Sequence, residues 1–307
     1  MVCRDNGPVP IDYRAGFACF VGRPNAGKST LTNALVGTKV AIMSDRPQTT
    51  RHAVRGIVTR PDAQLVVVDT PGFHKPRTLL GERLNDVVKS TLSEVDAIGF
   101  CVPADEKVGP GDRYIATQLA AIAARTPVIA IVTKADLVGR DVVAERLVEV
   151  AELGEFAEVV PVSARDGFQV GLLADLLVAR MPEGRPLYPD GELTDEPERV
   201  MVAELIREAA LEGVRDELPH SIAVLVEDMC PREGRDDLVD IEAVMYVERD
   251  SQKGIVIGVG GARLREVGTT ARRQIEALLG SRVYLDLRVK VAKDWQRDPK
   301  QLRRLGF

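Results

Sequence analysis

The sequence lacks any long hydrophobic run. Its longest apolar stretches, such as "LVVVD" and "VIAIVT", are far shorter than the roughly 20 residues that cross a bilayer, and the N-terminus has no apolar signal core. Paired cysteines are lacking too, since Cys3, Cys19, Cys101 and Cys230 are far apart and have no metal-ligand spacing. We therefore expect a cytosolic protein with reduced, mostly buried thiols, because Cys19 and Cys101 stand inside apolar runs typical of strands.

Charge is unevenly distributed along the 307 residues. The formal net charge is −5, yet residues 254–307 hold 12 Lys and Arg against 5 Asp and Glu, so this part carries +7 and the rest of the chain −12. A basic segment on an acidic body favours a polyanionic partner for that segment. A solvated charged face has the same composition, so charge alone leaves both interpretations open.

The order of the patterns predicts two domains. Short apolar runs alternate with helical patterns from Ala15 to about Met181, which is typical of an α/β domain with a mostly parallel sheet and helices on both faces. A stretch rich in Pro, Gly and acidic residues follows, and then a helix, two strands separated by an acidic loop, two helices and a strand, which predict a smaller α+β domain. The predicted boundaries are a tail at 1–14, a first domain at 15–184, a linker at 185–199 and a second domain at 200–307.

The stretch "GRPNAGKS", residues 22–29, matches the phosphate-loop pattern without a gap and lies between an apolar strand and a helix. Glycines let backbone N–H groups turn toward phosphates, Lys28 can reach the terminal phosphates, and Ser29 can offer its hydroxyl to Mg²⁺. A tight turn without a ligand is the alternative. The candidate phosphate-binding residues are Gly22, Asn25, Ala26, Gly27, Lys28, Ser29 and Thr30.

Two later motifs indicate that the base is guanine. "TKAD" begins at Thr133 and "SAR" at Ser163, each after an apolar strand pattern, and this arrangement resembles small GTPases. The resemblance implies that Asp136 accepts hydrogen bonds from the guanine ring N–H and amino group, and unpaired polar groups would cost an ATP complex about 1–3 kcal/mol each. Small GTPases usually have Asn at the position of Thr133, so we expect weaker base or loop contacts there. The candidate base-binding residues are Thr133, Lys134, Asp136, Ser163, Ala164 and Arg165.

The motif "VDTPG" lies between these stretches, with Asp69 41 residues after Lys28 and 64 residues before Thr133. Asp69 ends a strand pattern and is expected to hold Mg²⁺ through water, while Gly72 can approach the terminal phosphate. The order and spacing of the three motifs make chance a poor explanation. The candidate residues of this motif are Asp69, Thr70, Pro71 and Gly72.

"PQTTRH", residues 47–52, stands in the first switch region. We favour Thr50 over Thr49 as the hydroxyl that completes the Mg²⁺ site with Ser29 and Asp69, and a surface turn is the alternative. The candidate catalytic residues are therefore Lys28, Thr50 and Gly72.

Two residues near these motifs bear on the rate of hydrolysis. Ras-like enzymes have a water-orienting glutamine directly after the glycine of "DTPG", where this chain has Phe73, so we expect slow intrinsic hydrolysis unless another group or a partner completes the site. Asn25 resembles the asparagine that helps to hold K⁺ in some related GTPases. An asparagine in a loop can also simply stabilise its turn.

A second glycine-rich stretch, "GVGG" at 258–261, has no following Lys-Ser and cannot form another phosphate loop. Its flanks are helical rather than a βαβ unit, which excludes the dinucleotide fingerprint. A glycine turn between helices, beside strands and a basic surface, is typical of a KH domain, which clamps about four single-stranded nucleotides. Apolar Ile255, Ile257 and Val259 can line a groove for bases, and a plain helix–helix turn is the alternative. The candidate RNA-binding residues are Lys253, Gly258, Val259, Gly260, Gly261, Arg263, Arg265, Arg272 and Arg273.

Together, "GRPNAGKST", "QTTRH", "DTPG", "TKAD" and "SAR", followed by "QKGIVIG", "GARLREVGTTAR" and "VKVAKDW", resemble the Era family of bacterial GTPases over nearly the whole chain. The resemblance implies a type II KH domain, binding near the 3′ end of 16S rRNA and a role in assembly of the 30S ribosomal subunit. It also implies a ribosome-associated monomer in the cytoplasm with a peripheral fraction at the membrane. Val259 departs from the Lys often found in this turn, which puts one phosphate contact in doubt.

Two other classes of protein share some of these motifs. A tRNA-modification GTPase would carry a folate-binding domain and a C-terminal cysteine signature, and neither is seen in the sequence. A membrane-associated signalling GTPase would leave the basic C-terminal segment without a role.

Overall fold

The computed structural model describes residues 12–44, 49–73, 78–122, 126–212 and 221–307. Most of the predicted tail, with Cys3, lies outside these ranges, as do Pro47 and Gln48. Contacts divide the chain into two compact units. The first comprises the described parts of Met1–Ala41, His52–His74 and Asn85–Asp195, and the second those of Ile42–Arg51, Lys75–Leu84 and Glu196–Phe307. No helix in the described ranges is long and apolar enough to cross a membrane.

Up to residue 178 the chain alternates strands and helices, as the sequence predicts, except that an additional strand follows the first helix and the next strand comes directly after it. The strands are β1 (Arg14–Gly22), β2 (Val54–Thr59), β3 (Ala63–Asp69), β4 (Ala97–Pro103), β5 (Val128–Thr133) and β6 (Glu158–Pro161). The helices are α1 (Lys28–Val36), α2 (Leu79–Glu94), α3 (Pro110–Ile122), α4 (Arg140–Ala151) and α5 (Val170–Val178).

The sheet of the first unit has the order β2-β3-β1-β4-β5-β6 and is parallel except for β2, which runs antiparallel to β3. Side chains alternate between its two faces: Ala18 and Phe20 join the core under α1 and α5, whereas Cys19 and Val21 join the core on the other face. The predicted α/β class is confirmed. β1 lies between strands that come later in the chain, so the loop after it opens at the switch point where such sheets bind ligands.

Residues 185–195 run along the first unit beside edge strand β2. The fully buried Gln64 side chain accepts hydrogen bonds from the backbone N–H groups of Leu187 (2.6 Å) and Tyr188 (2.8 Å) and donates one to the carbonyl of Tyr188 (3.0 Å). Farther along, the Ile57 N–H donates to the Leu193 carbonyl (2.9 Å). The predicted linker is therefore attached to the sheet as far as Leu193, and it covers part of an edge that would otherwise be open to pairing with other strands.

The second unit has a three-stranded sheet with the order β7-β8-β9, in which β7 and β8 are antiparallel and β8 and β9 are parallel. Its elements are α6 (Glu198–Leu211), β7 (Ala223–Arg232), β8 (Arg235–Val247), α7 (Asp250–Ile257), α8 (Ala262–Leu279), β9 (Arg282–Val291) and α9 (Pro299–Arg304). This helix–strand–strand–helix–helix–strand order confirms the α+β prediction and is that of a type II KH domain. The acidic loop expected between the first two strands is instead a tight hairpin turn at Glu233 and Gly234, because both strands continue through the polar residues.

Candidate nucleotide site and nucleic-acid interface

The phosphate loop spans residues 22–29, from the end of β1 to the start of α1, as predicted. Lys28 is buried, and its ammonium donates to the carbonyls of Gly22 (3.3 Å) and Arg23 (2.9 Å). Burial lowers the pKa of Lys28, and the nearby carboxylate of Asp69 acts in the opposite direction. The loop therefore holds this cation on its own backbone, where it can attract the phosphates of a ligand.

Asp69 lies at the end of β3, next to the phosphate loop. Its Oδ2 accepts a hydrogen bond of 2.6 Å from the Ser29 hydroxyl, so two oxygen ligands meet at one point. The adjacent Thr70 hydroxyl donates to the Phe20 carbonyl (2.7 Å), which fixes the chain after the strand. Paired hydroxyl and carboxylate oxygens fit a hard cation such as Mg²⁺, which keeps several of its waters.

The two base-recognition stretches, together with the end of the phosphate loop and the start of α1, surround one cavity of about 160 Å³. The Ser163 hydroxyl donates to Asp136 Oδ1 (2.7 Å) and accepts from the Asp166 N–H (3.1 Å), which orients the Asp136 carboxylate. Lys134 lies across the cavity with its ammonium 3.3 Å from Asp105. The lining residues are Gly27, Thr30, Leu31, Thr133, Lys134, Asp136, Leu137, Val162, Ala164 and Arg165. The predicted base-binding residues therefore lie together, with Ser163 behind Asp136.

Thr133, the departure from the small-GTPase pattern, is buried and contacts the phosphate loop. Its hydroxyl donates a hydrogen bond of 2.7 Å to the carbonyl of Ala26. A loop contact is therefore retained despite the shorter side chain. The expectation of weaker contacts does not apply to this hydrogen bond.

Phe73 is buried in the core of the first unit and does not face solvent. Its ring stacks on Tyr114 with centroids 5.9 Å apart, and its N–H donates to the Gly22 carbonyl (3.2 Å). A hydrocarbon ring held in a core has no group that can orient water, in agreement with the sequence analysis. Asn25 has a φ of 64°, a left-handed conformation that asparagine tolerates, so the turn alone explains an asparagine there.

Thr50, the predicted switch ligand, belongs to a segment of the second unit and is buried. Its neighbours are held by that unit: Arg207 donates to the Thr49 carbonyl, and Arg51 donates to the Ile222 carbonyl (2.6 Å) with its guanidinium 5.5 Å from the ring centroid of Trp295. The metal role of Thr50 stays a prediction.

The second glycine-rich stretch is a turn between two helices, as predicted. α7 ends at Ile257, α8 begins at Ala262, and Gly258, Gly260 and Gly261 all have positive φ. Val259 at the tip is 96% exposed and Ile255 is 57% exposed, whereas Ile257 packs against the core of the unit. The turn therefore presents bare backbone and two apolar side chains to solvent.

The predicted basic residues near the turn divide into two groups. Arg265, Arg272 and Arg273 are exposed along α8, and Lys253 is half-buried on α7. Arg263 instead donates to the carbonyls of Ala210 (3.3 Å) and Glu212 (2.7 Å), at the C-terminal end of α6. Its guanidinium satisfies carbonyls that a helix end leaves unpaired. Arg263 therefore has a structural role that sequence spacing does not reveal.

A groove of about 430 Å³ runs between α8 and edge strand β9. Its lining residues are Gly261, Leu264, Arg265, Gly268, Thr269, Arg272, Tyr284, Leu285, Asp286 and Leu287. Tyr284 is 56% exposed, and the guanidinium of Arg232 lies 5.0 Å from its ring centroid. Sequence analysis missed Tyr284, although an aromatic residue next to the buried Val283 in a strand of alternating pattern was a usable signal.

These features define a P-loop GTPase domain followed by a KH domain. Family models agree: residues 17–134 match the model described as a 50S ribosome-binding GTPase, and residues 217–296 match a KH domain. The chain is 69% identical over 297 residues to the GTPase Era of Mycobacterium sp. (strain KMS), covering 96% of this chain and 99% of that one. It is 70% identical over 308 residues to the GTPase Era of Streptomyces coelicolor, and the match covers 98% of this chain and 97% of that one. The chain belongs to the Era family of GTPases.

Two solved structures of Era have the same fold. One is a crystal structure of Era in complex with MgGDPNP and nucleotides 1506–1542 of 16S ribosomal RNA, with 38% identity, a TM-score of 0.92 and coverage of 96% of this chain and 99% of that one. The other is a variant of Aquifex aeolicus Era bound to GDP·AlF4−, with 38% identity, a TM-score of 0.91 and coverage of 95% and 99%.

Replacing Thr133 tests the contact between β5 and the phosphate loop. Thr133→Val keeps the shape of the side chain but leaves the Ala26 carbonyl without its donor, and an unpaired buried group costs on the order of 1–3 kcal/mol, or roughly tenfold in affinity. We expect GDP titration with a fluorescent analogue to show this loss. Thr133→Ser keeps the hydroxyl and should bind within about twofold of the wild type. Equal affinities for the Val and Ser variants would remove the hydroxyl from this role.

Proposed function

We propose that this protein hydrolyses GTP at the first glycine loop and binds single-stranded RNA near the 3′ end of 16S rRNA at the second, assisting 30S assembly. The observation that carries the proposal is the exposed Gly258–Gly261 turn beside a groove with arginines along one wall, in a chain that also has the phosphate loop and both base-recognition motifs. The relative that holds both MgGDPNP and nucleotides 1506–1542 of 16S rRNA supports it, since it covers 96% of this chain. The proposal includes a ribosome-associated monomer with a peripheral fraction at the membrane.

In the proposed nucleotide site, Lys28 and the loop backbone hold the phosphates while Ser29, Asp69 and Thr50 hold Mg²⁺. The cation would neutralise charge that develops on the transferred phosphoryl group. Gly72 stands at the terminal phosphate, and Asp136 reads the base. The remaining contacts are assigned to Gly22, Asn25, Ala26, Gly27, Thr30, Thr70, Pro71, Thr133, Lys134, Ser163, Ala164 and Arg165.

The base-recognition role of Asp136 has a direct test. Asp136→Asn can still accept from Ser163 but presents an amide where xanthine carries a carbonyl in place of the amino group of guanine. We expect the variant to lose GDP affinity and gain affinity for xanthosine diphosphate, measured by competition, because each unpaired polar group costs about 1–3 kcal/mol. The exposed neighbour Asp166 supplies the control Asp166→Asn, which should keep the guanine preference. Unchanged competition in Asp136→Asn would exclude this carboxylate as the base reader.

The rate of hydrolysis follows from Phe73 and Asn25. We expect slow turnover that depends on Mg²⁺ and is faster in K⁺ than in Na⁺, because no glutamine orients water and Asn25 is proposed to help hold the larger cation. Phosphate release would be followed in both salts for the wild type and for Asn25→Ala. Equal rates in the two salts, with a neutral Asn25→Ala, would reject the potassium site, and fast turnover of the isolated protein would reject slow intrinsic hydrolysis.

The proposed RNA site combines three kinds of contact. The backbone of the 258–261 turn can approach the RNA chain, Arg265, Arg272 and Arg273 can pair with phosphates, and the exposed Tyr284 ring offers a face on which a base can stack. Lys253 precedes the turn on α7, and Val259 lies at its tip. Arg263 contributes by holding the end of α6 as well as by its charge.

Gly261→Asp tests this site, and Gly234→Asp is a matched control. Both glycines have a φ of 75°, and at both the position that a side-chain carbon would take has no other atom within 4 Å, but Gly234 lies in the β7–β8 hairpin. The two substitutions therefore add equal strain and equal charge at different places. We expect Gly261→Asp to weaken RNA binding at least about tenfold, because a charge-assisted contact is worth roughly 1.5–3 kcal/mol. The GDP affinity of this variant should stay normal. Gly234→Asp should bind RNA like the wild type.

Filter binding to a single-stranded 16S 3′-end oligonucleotide across a salt series gives the RNA affinity of each variant and the dependence of that affinity on salt. With about four phosphate contacts on a single strand, the log–log slope of affinity against salt should be roughly −3 for the wild type. RNA binding by Gly261→Asp as tight as that of the wild type would make the loop a structural turn only.

A further inference from the structure

The second residue of the phosphate loop, Arg23, is anchored to the start of α3. Its Nε donates to Asp112 Oδ1 at 2.7 Å, and its Nη1 lies 3.0 Å from Glu106 Oε2. The Asp112 side chain is fully buried, whereas that of Glu106 is 46% exposed. Asp112 is therefore the stronger partner, since screening by solvent weakens an exposed ion pair.

Both oxygens of Asp112 are engaged. While Oδ1 accepts from Arg23, Oδ2 accepts from the Gly109 N–H at 2.9 Å, just before α3 begins at Pro110. This second bond fixes the carboxylate in one orientation at the helix N-terminus, where a negative charge is favourable. Arg23 thus meets a carboxylate whose position is already set by α3.

Gly111 leaves the space through which the Arg23 side chain passes. A side-chain carbon on Gly111 would lie 2.7 Å from Arg23 Cδ, closer than such atoms approach in real structures. Burial lowers the pKa of Arg23, but its bonds to Asp112 and the charges of Asp112 and Glu106 outweigh that effect and raise it, so the guanidinium stays charged.

Anchoring Arg23 also positions Lys28. The Arg23 carbonyl is the closer of the two that accept from the Lys28 ammonium, at 2.9 Å against 3.3 Å for Gly22. The same residue thus binds α3 through its side chain and the loop cation through its backbone. Movement of the Arg23 backbone would move an acceptor on which the cation depends.

We propose that Arg23 and Asp112 are a pair of positioning residues that hold the phosphate loop, and with it Lys28, in the shape that binds nucleotide. This inference rests on the proposed function, since it takes residues 22–29 as the phosphate site. The pair acts through the loop backbone, so it sets nucleotide affinity from behind the site.

The full chain would be tested as Arg23→Ala, Arg23→Lys, Asp112→Asn and the double variant Arg23→Ala/Asp112→Asn, with GDP and GTP affinities measured with fluorescent analogues. We expect each single variant to bind about 10–100-fold more weakly, because displacements of about 1 Å in a site have effects of that size. Lysine should restore little, since it lacks the planar fork that donates from Nε and Nη1. The double variant should be no weaker than the worse single variant, because the two residues act as one unit.

Two controls separate this pair from general destabilisation. Arg113→Ala removes an exposed arginine from the same helix and should bind like the wild type. Gly111→Ala displaces the Arg23 side chain while keeping Asp112, and it should lower affinity even if Asp112 variants fold poorly, with melting curves recorded for every variant. Losses that simply add in the double variant would overturn the pairing.

Lys28→Ala distinguishes failure of the positioning pair from failure of the proposed phosphate site. If Lys28→Ala loses nucleotide binding while Arg23→Ala, Asp112→Asn and Gly111→Ala bind about as tightly as the wild type, the positioning pair is wrong and the nucleotide site stands. If Lys28→Ala binds nucleotide normally, the proposed phosphate site is itself wrong and the pair falls with it.

Discussion

The backbone carbonyls of the phosphate loop need hydrogen-bond donors that do not occupy the space where a nucleotide would bind. The shape of the nucleotide site depends on where these donors come from. Buried carbonyls rarely stay unpaired. The carbonyls of Gly22 and Arg23 accept from Lys28, Gly22 also accepts from the N–H of Phe73, and that of Ala26 accepts from Thr133. Since these donors come from α1, the end of β3 and the end of β5, the loop is held in one shape by three elements. A loop ordered in advance loses less entropy when a nucleotide binds.

The second glycine turn meets the opposite requirement. It lies on the surface, and Val259 at its tip is 96% exposed. The turn contains no lysine. The positive charge near it comes from Arg265, Arg272 and Arg273, which are exposed on the neighbouring helix α8. In the proposed function, glycine thus allows close approach in both places, to phosphates enclosed by a loop at the first turn and to an RNA chain in an open groove at the second.

The sequence was most informative where function constrains neighbouring residues. The strand, loop and helix at 14–36, the two motifs that surround the cavity and the helix at 262–279 could all be predicted, because local pattern and spacing determine them. β2 was missed, and its antiparallel pairing with β3 depends on contacts that no local pattern encodes. The stretch at 230–239 was taken for a loop because charged residues dominate it, yet it forms the end of β7 and the start of β8, and pairing between the two strands stabilises it as a hairpin. The structural use of Arg263 likewise depends on α6, far earlier in the chain.

Two departures from the family pattern differ in their physical consequences. A threonine hydroxyl has one proton, and Thr133 donates it to the Ala26 carbonyl. In the proposed function, reading of the base would then depend on Asp136, whose carboxylate is oriented by Ser163. Val259 removes a charge at the tip of the turn and leaves an isopropyl group in water. Covering that group with a sugar or base would contribute roughly 25 cal/mol for each Å² of apolar surface removed from water, a gain that does not weaken with salt. In the proposed RNA site, valine in place of lysine would therefore replace a salt-dependent contact with a salt-independent one, and the salt dependence of RNA binding would rest on the arginines of α8.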